Sequence, residues 1–362
     1  MTHGQTFAAR RIGGEIPAFT SRLGPAQNWD PGWLPFSHGR AALGWLIEQR
    51  SIRSVLCCAY TCPSVPAFVS RRQLTQGAFD VGASIDRVVG LAQQLPAPRM
   101  VLLPALFGTA PWLDANAVQS ALPADDVVVI DAAQSAFGHA DFGVPDGGAV
   151  LSGPRKTTDL ADGAVLALSQ SFGKTAVDIA DLPRATLPAA TKAAARALWA
   201  TGDAALEGQA LAYHQQSEQS WPDAPHRMTE QSRVLLEHMD RAWHTAVRQS
   251  NRDALADMLK HRIPMWTATT GTPFNLPIFA GNREHLLAEL RSQRIFATAL
   301  WPDARLDRRQ HPCGAWMADH LIGLPVDQRH DALDMQRLAA AVAASAKAPA
   351  APSPPSLEPF IA

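Results

Sequence analysis

Several residue types are scarce in this chain of 362 residues, and each scarcity excludes something. Four cysteines, Cys57, Cys58, Cys62 and Cys313, are too few for a disulfide framework at this length. Three of them cluster, but no second pair or histidine group follows at metal-ligand spacing, so no metal site is expected, and Cys57 and Cys58, within an apolar run, read as core residues. No stretch of 18 apolar residues occurs, so no membrane-spanning helix is expected. The first residues, MTHGQTFAARRIGGEIPAF, lack an apolar signal region, and a cytoplasmic location is expected. Neither sign of charge dominates: the formal net charge is −1, which argues against nucleic acid or an anionic membrane as partner. Lysine is the scarcest cation, with five in all: Lys156, Lys174, Lys192, Lys260 and Lys347.

What is present is an apolar α/β core, with 47% of residues hydrophobic. Strand-like runs at Ser54–Ala59, Arg99–Pro104, Val127–Asp131, Gly148–Ser152 and Ala164–Leu168 alternate with helix-like runs at Arg40–Gln49, Pro63–Val69, Ser84–Gln94 and Leu113–Ala121. This alternation predicts a mostly parallel sheet flanked by helices. From Ala189 to about Met258 the pattern is helical, broken at Asp223-Ala224-Pro225. These connecting helices are expected to supply much of a dimer surface. Phe274–Phe279, Arg283–Gln293, His320–Val326 and Leu333–Ala343 predict a small αβ unit. The expected division is 1–250 for a large domain with connecting helices and 251–343 for a small C-terminal domain. A Pro/Ala-rich tail over 344–362 is expected to be mobile.

The stretch from Val127 to Val165 carries the chemistry. An apolar strand ends in Asp131, and Lys156 follows the run Ser152-Gly153-Pro154-Arg155. Pyridoxal phosphate (PLP) needs such a pair: a lysine amine to join the aldehyde, and an acid to hold a proton on the pyridine nitrogen. A strand-end acid is common in any α/β protein, and a loop lysine is usually solvated; the scarcity of lysine is what singles out Lys156. Lys174, after Ser171-Phe172-Gly173, is its competitor. Trp301-Pro302 ends a segment, from Ile295, expected at the active-site mouth. His311 and Trp316 follow in an Arg/His-rich loop that is either an anchored surface loop or a substrate contact.

Asp131-Ala132-Ala133-Gln134, the Ser152-to-Lys156 run and the Gly163 turn resemble the DegT/DnrJ/StrS family of PLP-dependent, fold type I aminotransferases. Ser37-His38-Gly39-Arg40, Ala59-Tyr60-Thr61-Cys62, Leu103-Pro104-Ala105-Leu106-Phe107-Gly108, His226-Arg227-Met228-Thr229-Glu230 and Leu321–Asp327 add further matches in family order. The resemblance covers most of the chain and implies a large PLP-binding domain, a small αβ domain and a homodimer. It implies transfer of an amino group, with glutamate as donor, to a keto acceptor such as a keto-sugar. It further implies that Lys156 carries the cofactor and moves the proton, that Asp131 pairs with the ring nitrogen, and that Gln134 meets the ring's phenolic oxygen. Ser152, Gly39 and Arg40 would hold the phosphate, the last two at a helix start.

Four departures mark a divergent branch: Ser152 lies four residues before the lysine rather than five, Cys62 stands where an aromatic often stacks on the ring, Pro225 replaces an asparagine that reaches the partner's phosphate, and Gly163-Ala164 replaces a glycine pair. Tyr60 is the candidate for the stacking role, and Arg227, or His226, for the phosphate contact. Two other outcomes stay open: a PLP enzyme that decarboxylates, dehydrates or forms C–C bonds, and a binding protein on the same fold that has lost catalysis.

Overall fold

The computed structural model describes residues 10–27, 30, 32–172, 179–268, 270–302, 304, 306–349 and 354–361. Lys174 lies outside them. In chain order, β1 (Ile12–Gly13) and β2 (Trp33–Phe36) precede α1 (Gly39–Gln49), β3 (Ser54–Cys58), α2 (Ser64–Arg71), β4 (Thr75–Phe79), α3 (Ile85–Gln93), β5 (Arg99–Pro104) and α4 (Ala115–Ser120). Then come β6 (Val127–Ala132), α5 (Gly138–Asp141), β7 (Ala149–Ser152), α6 (Pro154–Thr157) and β8 (Ala164–Leu168). Seven of these strands form one sheet in the order β2-β8-β7-β6-β5-β3-β4. From β4 through β7 neighbours run parallel, while β8 is antiparallel to both β7 and β2. The apolar continuity of the central strands has its reason in this arrangement: β3 and β7 are buried along their whole length, with helices packed on both faces.

Both faces of the sheet carry a core. One gathers alternate residues such as Leu56, Val101, Val128 and Val150. The other gathers Val55, Leu102, Val129 and Leu151 with the apolar side of α1. The helical middle holds α7 (Thr186–Ala200), α8 (Glu207–Ser220), α9 (Glu230–Glu237) and α10 (Arg241–Leu259), and the break at Asp223–Pro225 falls between α8 and α9. The C-terminal part adds β9 (Asn275–Phe279), α11 (Arg283–Ser292), β10 (Ile295–Phe296), α12 (Pro312–His320), β11 (Leu321–Pro325) and α13 (Ala332–Ser345). β9 and β11 pair antiparallel, and with α10, α11 and α13 they enclose a third core that includes Leu255, Ile278, Leu324 and Leu338. No helix among the described residues is long and apolar enough to cross a membrane.

Three expectations change. The boundary at residue 250 falls inside α10, which has His244 against Phe137 near its start and Leu255 and Leu259 in the third core. The tail is not mobile at its end: Leu357 is fully buried, Phe360 stacks on Trp266 at 5.2 Å, and the Thr267 amide donates to the Phe360 carbonyl at 2.8 Å. Three apolar side chains in eight residues suffice to hold it against the core around Phe107. Trp316 lies on α12 against Phe279, so that stretch is helix rather than loop.

Candidate active site

Parallel strands open a crevice beyond their C-terminal ends. Here Pro104 of β5, Asp131 of β6 and the turn after β7 line a cavity of about 290 Å³. Lys156 enters it from α6, a single turn with Pro154 at its start. The acid and the lysine come together because the turn after β6 and the turn after β7 touch through their backbones. The Gly153 amide donates to the Ser135 carbonyl at 2.9 Å, and a Cβ on Gly153 would run into the Ala133 carbonyl. Burial pushes the Asp131 pKa up; the Lys156 charge and the Ala133 amide, which donates to Oδ1 at 3.1 Å, work against that rise.

The backbone that carries Lys156 is tightly held. The Thr157 carbonyl accepts from Arg248 Nη2 at 2.8 Å, His244 Nε2 at 3.1 Å and Gln328 Nε2 at 3.3 Å. Arg196 donates to the carbonyls of Arg155 and Thr158. Both guanidinium groups are buried, and burial lowers each to about 10, leaving them charged.

At another wall, the start of α1 faces the cavity with Gly39 and Arg40. His38 caps this helix: its Nδ1 accepts from the Ala41 amide at 3.1 Å, and its Nε2 bonds the Pro222 carbonyl at 3.0 Å. One neutral tautomer, protonated on Nε2, satisfies both. Burial, then the charges of Arg40 and Arg155, depress its pKa to about 3. Arg155 and Glu218 also line this region, paired at 3.0 Å. Burial alone would raise the Glu218 pKa, but Arg155 and the buried Lys192 outweigh it and hold the carboxyl ionised.

The expected residues divide. Lys156, Asp131, Gln134, Gly39 and Arg40 share the cavity. Gln134 is fixed from the far side, its Oε1 accepting from the Phe107 amide at 2.7 Å. Ser152, Tyr60 and Arg227 are not among the lining residues. Ser152 is fully buried, and its hydroxyl accepts from the His139 amide at 2.5 Å and meets the His139 ring at 3.0 Å. The Tyr60 hydroxyl donates to the Leu300 carbonyl at 2.9 Å, and its ring packs edge-on against Trp301 at 5.2 Å. Trp301 itself lines the cavity, as its place at the mouth predicts, and Cys62 lines it where the aromatic was looked for. Arg227 lies beside β2, bridged to Phe36, with Nε buried and without a hydrogen-bond partner among the described residues. Missed by sequence reasoning were Arg155 and Glu218 as wall residues and the His38 cap; nothing in their local pattern signals that α8 folds back over α6.

No family model matches the chain, and no curated protein matches it. Solved structures do. A sugar aminotransferase of Streptococcus pneumoniae in its PLP form is 14% identical, with 91% of this chain and 97% of that one covered and a TM-score of 0.61. A DegT DnrJ EryC1 StrS aminotransferase from Brucella abortus is 17% identical over 86% and 84%, at a TM-score of 0.57. The sugar aminotransferase CalS13 from Micromonospora echinospora is 14% identical over 87% and 88%, at 0.58. At these identities the likeness shows the fold, and the expected fold type I architecture holds.

Proposed function

We propose that the chain is a PLP-dependent aminotransferase that moves an amino group from an amino-acid donor, glutamate in the first instance, to a keto acceptor such as a keto-sugar or another biosynthetic intermediate. The observation that carries the reading is the shared cavity of Asp131 and Lys156, brought together by the Gly153–Ala133 contact in a fold common to sugar aminotransferases. The residues fit the cofactor. A half-buried acid faces the cavity where a ring nitrogen needs a counter-charge, and a lysine stands on a clamped turn. The start of α1, with Arg40 and Arg155 near it, suits a phosphate through backbone N–H groups, the helix dipole and two guanidinium charges. When bound, PLP supplies an aldehyde and an electron-withdrawing ring.

The chain's own residues then divide the work. Asp131 holds a proton on the ring nitrogen. Lys156 Nζ would hold the cofactor through its aldehyde and, once free, would carry a proton away from the substrate's α-carbon. Gln134 presents its amide to the ring's oxygen. Trp301, held by Tyr60, covers the mouth against water. Four free thiols suit a reducing compartment, and we place the protein in the cytoplasm. The fold and the nearly fully exposed Phe19 and exposed Leu187 favour a homodimer.

A half-reaction tests the proposal. Purified protein reconstituted with PLP and mixed with glutamate is expected to lose its visible absorbance while one equivalent of 2-oxoglutarate forms per site. Carbon dioxide in place of 2-oxoglutarate would make it a decarboxylase. No colour after reconstitution would leave only the binding-protein reading.

A further inference from the structure

Leu106, in the single turn Leu106–Gly108, lines the cofactor cavity, and the next residue, Phe107, is fully buried with φ at 61°. A bulky residue keeps that left-handed backbone only where its surroundings over-determine it. Backbone bonds supply part of the constraint. The Phe274 amide donates to the Phe107 carbonyl at 2.8 Å, and the Ala105 amide donates to the Asp131 carbonyl at 2.9 Å. The Phe107 amide in turn donates to Gln134 Oε1 at 2.7 Å, which fixes the orientation of that side chain. With its oxygen turned to Phe107, Gln134 offers the donor end of its amide to the cavity it lines. Aromatic packing supplies the rest of the constraint. Trp266 meets the Phe107 ring edge-on at 5.3 Å, and Phe360 stacks on Trp266 at 5.2 Å with the rings 12° from parallel. Neither Trp266 nor Phe360 is among the residues lining the cavity.

The segment Pro355–Phe360 is seated closely enough to hold Trp266 in place. Leu357 is fully buried, Ile361 bridges to Trp266, and the Thr267 amide donates to the Phe360 carbonyl at 2.8 Å. Gly82 approaches the same segment so closely that a Cβ there would come within 2.6 Å of the Ser356 carbonyl. We propose that this C-terminal segment is a positioning strap: through Trp266 it holds Phe107 in its left-handed conformation and so presents Gln134 to the cofactor's ring. Phe360 and Trp266 are then positioning residues, acting through Phe107 and Gln134 without touching a reacting atom. This rests on the PLP reading, in which Gln134 meets the ring's oxygen, and deepens it.

The test compares the full-length wild type with Phe360→Ala, Phe360→Tyr, Gln134→Leu and Leu338→Ala. The last opens a void in the third core and controls for lost stability alone. Hydrogen exchange at the Phe107 amide is read first, without PLP. Protection is expected to be lost in Phe360→Ala and Gln134→Leu. It is expected to persist in Phe360→Tyr, which retains the ring, and in Leu338→Ala. PLP is then titrated in and followed by its visible absorbance. Its Kd is expected to rise about two- to tenfold in Phe360→Ala, as for one lost hydrogen bond, and to stay at the wild-type value in Leu338→Ala. Wild-type protection of the Phe107 amide in Phe360→Ala overturns the proposal, as does an equal loss in Leu338→Ala. Lost protection with an unchanged PLP Kd overturns the positioning role. Should Phe360→Ala fail to fold, Phe360→Leu, which fills most of the space without a flat ring, decides by the same two readings. If protection depends on Phe360 but wild type takes up no PLP, the cofactor reading falls and the strap's grip on Gln134 stands.

Discussion

Asp131 and Lys156 face each other across a backbone contact that only glycine permits at residue 153. Gly153→Ala is therefore expected to push the two turns apart and to lower PLP retention, measured by absorbance after gel filtration, in a protein that still folds. Asp131→Asn keeps the shape and removes the charge. Its raised pKa says that the fold gains nothing from the ionised acid, so thermal stability should hold while turnover falls about a hundred- to ten-thousandfold. Full activity in that variant would remove Asp131 from the mechanism. Both residues were legible in the sequence, because a strand-end acid and a scarce lysine are local signals. Ser152 and Tyr60 stand outside the cavity lining for a common reason: spacing gives a position along the chain but not a hydrogen-bond partner, and His139 and the Leu300 carbonyl are supplied by other segments. Three buried histidines set the acid limit. His38, His139 and His244 sit near pKa 3 in the folded chain against 6.5 in the free side chain. Between those values the unfolded chain binds more protons, so stability is intact above about pH 6.5 and is lost as pH falls toward 3, by up to roughly 4 kcal/mol per pH unit if all three titrate together. Urea midpoints measured from pH 7.5 to 4.5 would show that slope or its absence.

Elements with strong internal periodicity were readable, and those defined by partners were not. β5, β6 and β7 announce themselves as apolar runs, whereas β4 reads Thr-Gln-Gly-Ala-Phe, a half-exposed edge strand without alternation. β1 and β10 are two residues each and exist only because they pair. The last element, the turn over Pro355–Phe360, was hidden by its Pro/Ala-rich approach. It is anchored mainly by Leu357, which is fully buried among Phe107, Trp266 and their neighbours. Leu357→Ala is expected to cost about 2–5 kcal/mol, a cavity penalty a mobile tail would not incur. Chemical denaturation of that variant checks it; an unchanged midpoint would mean that the segment does not dock in solution.

At the scale of the molecule, two cavities share Lys156 as a lining residue. The sequence order of strands and helices predicted the architecture, and its likeness to known aminotransferase folds bears that out. The assembly follows as a proposal. Phe19 is 92% exposed, and Phe19→Asp is expected to shift sedimentation from dimer toward monomer if this face is covered by a second copy. The most direct test of the central claim is chemical. Borohydride reduction of the PLP-loaded protein, followed by peptide mapping, should place the pyridoxyl group on Lys156. Recovery of the label on Lys174, or on no lysine, would contradict it.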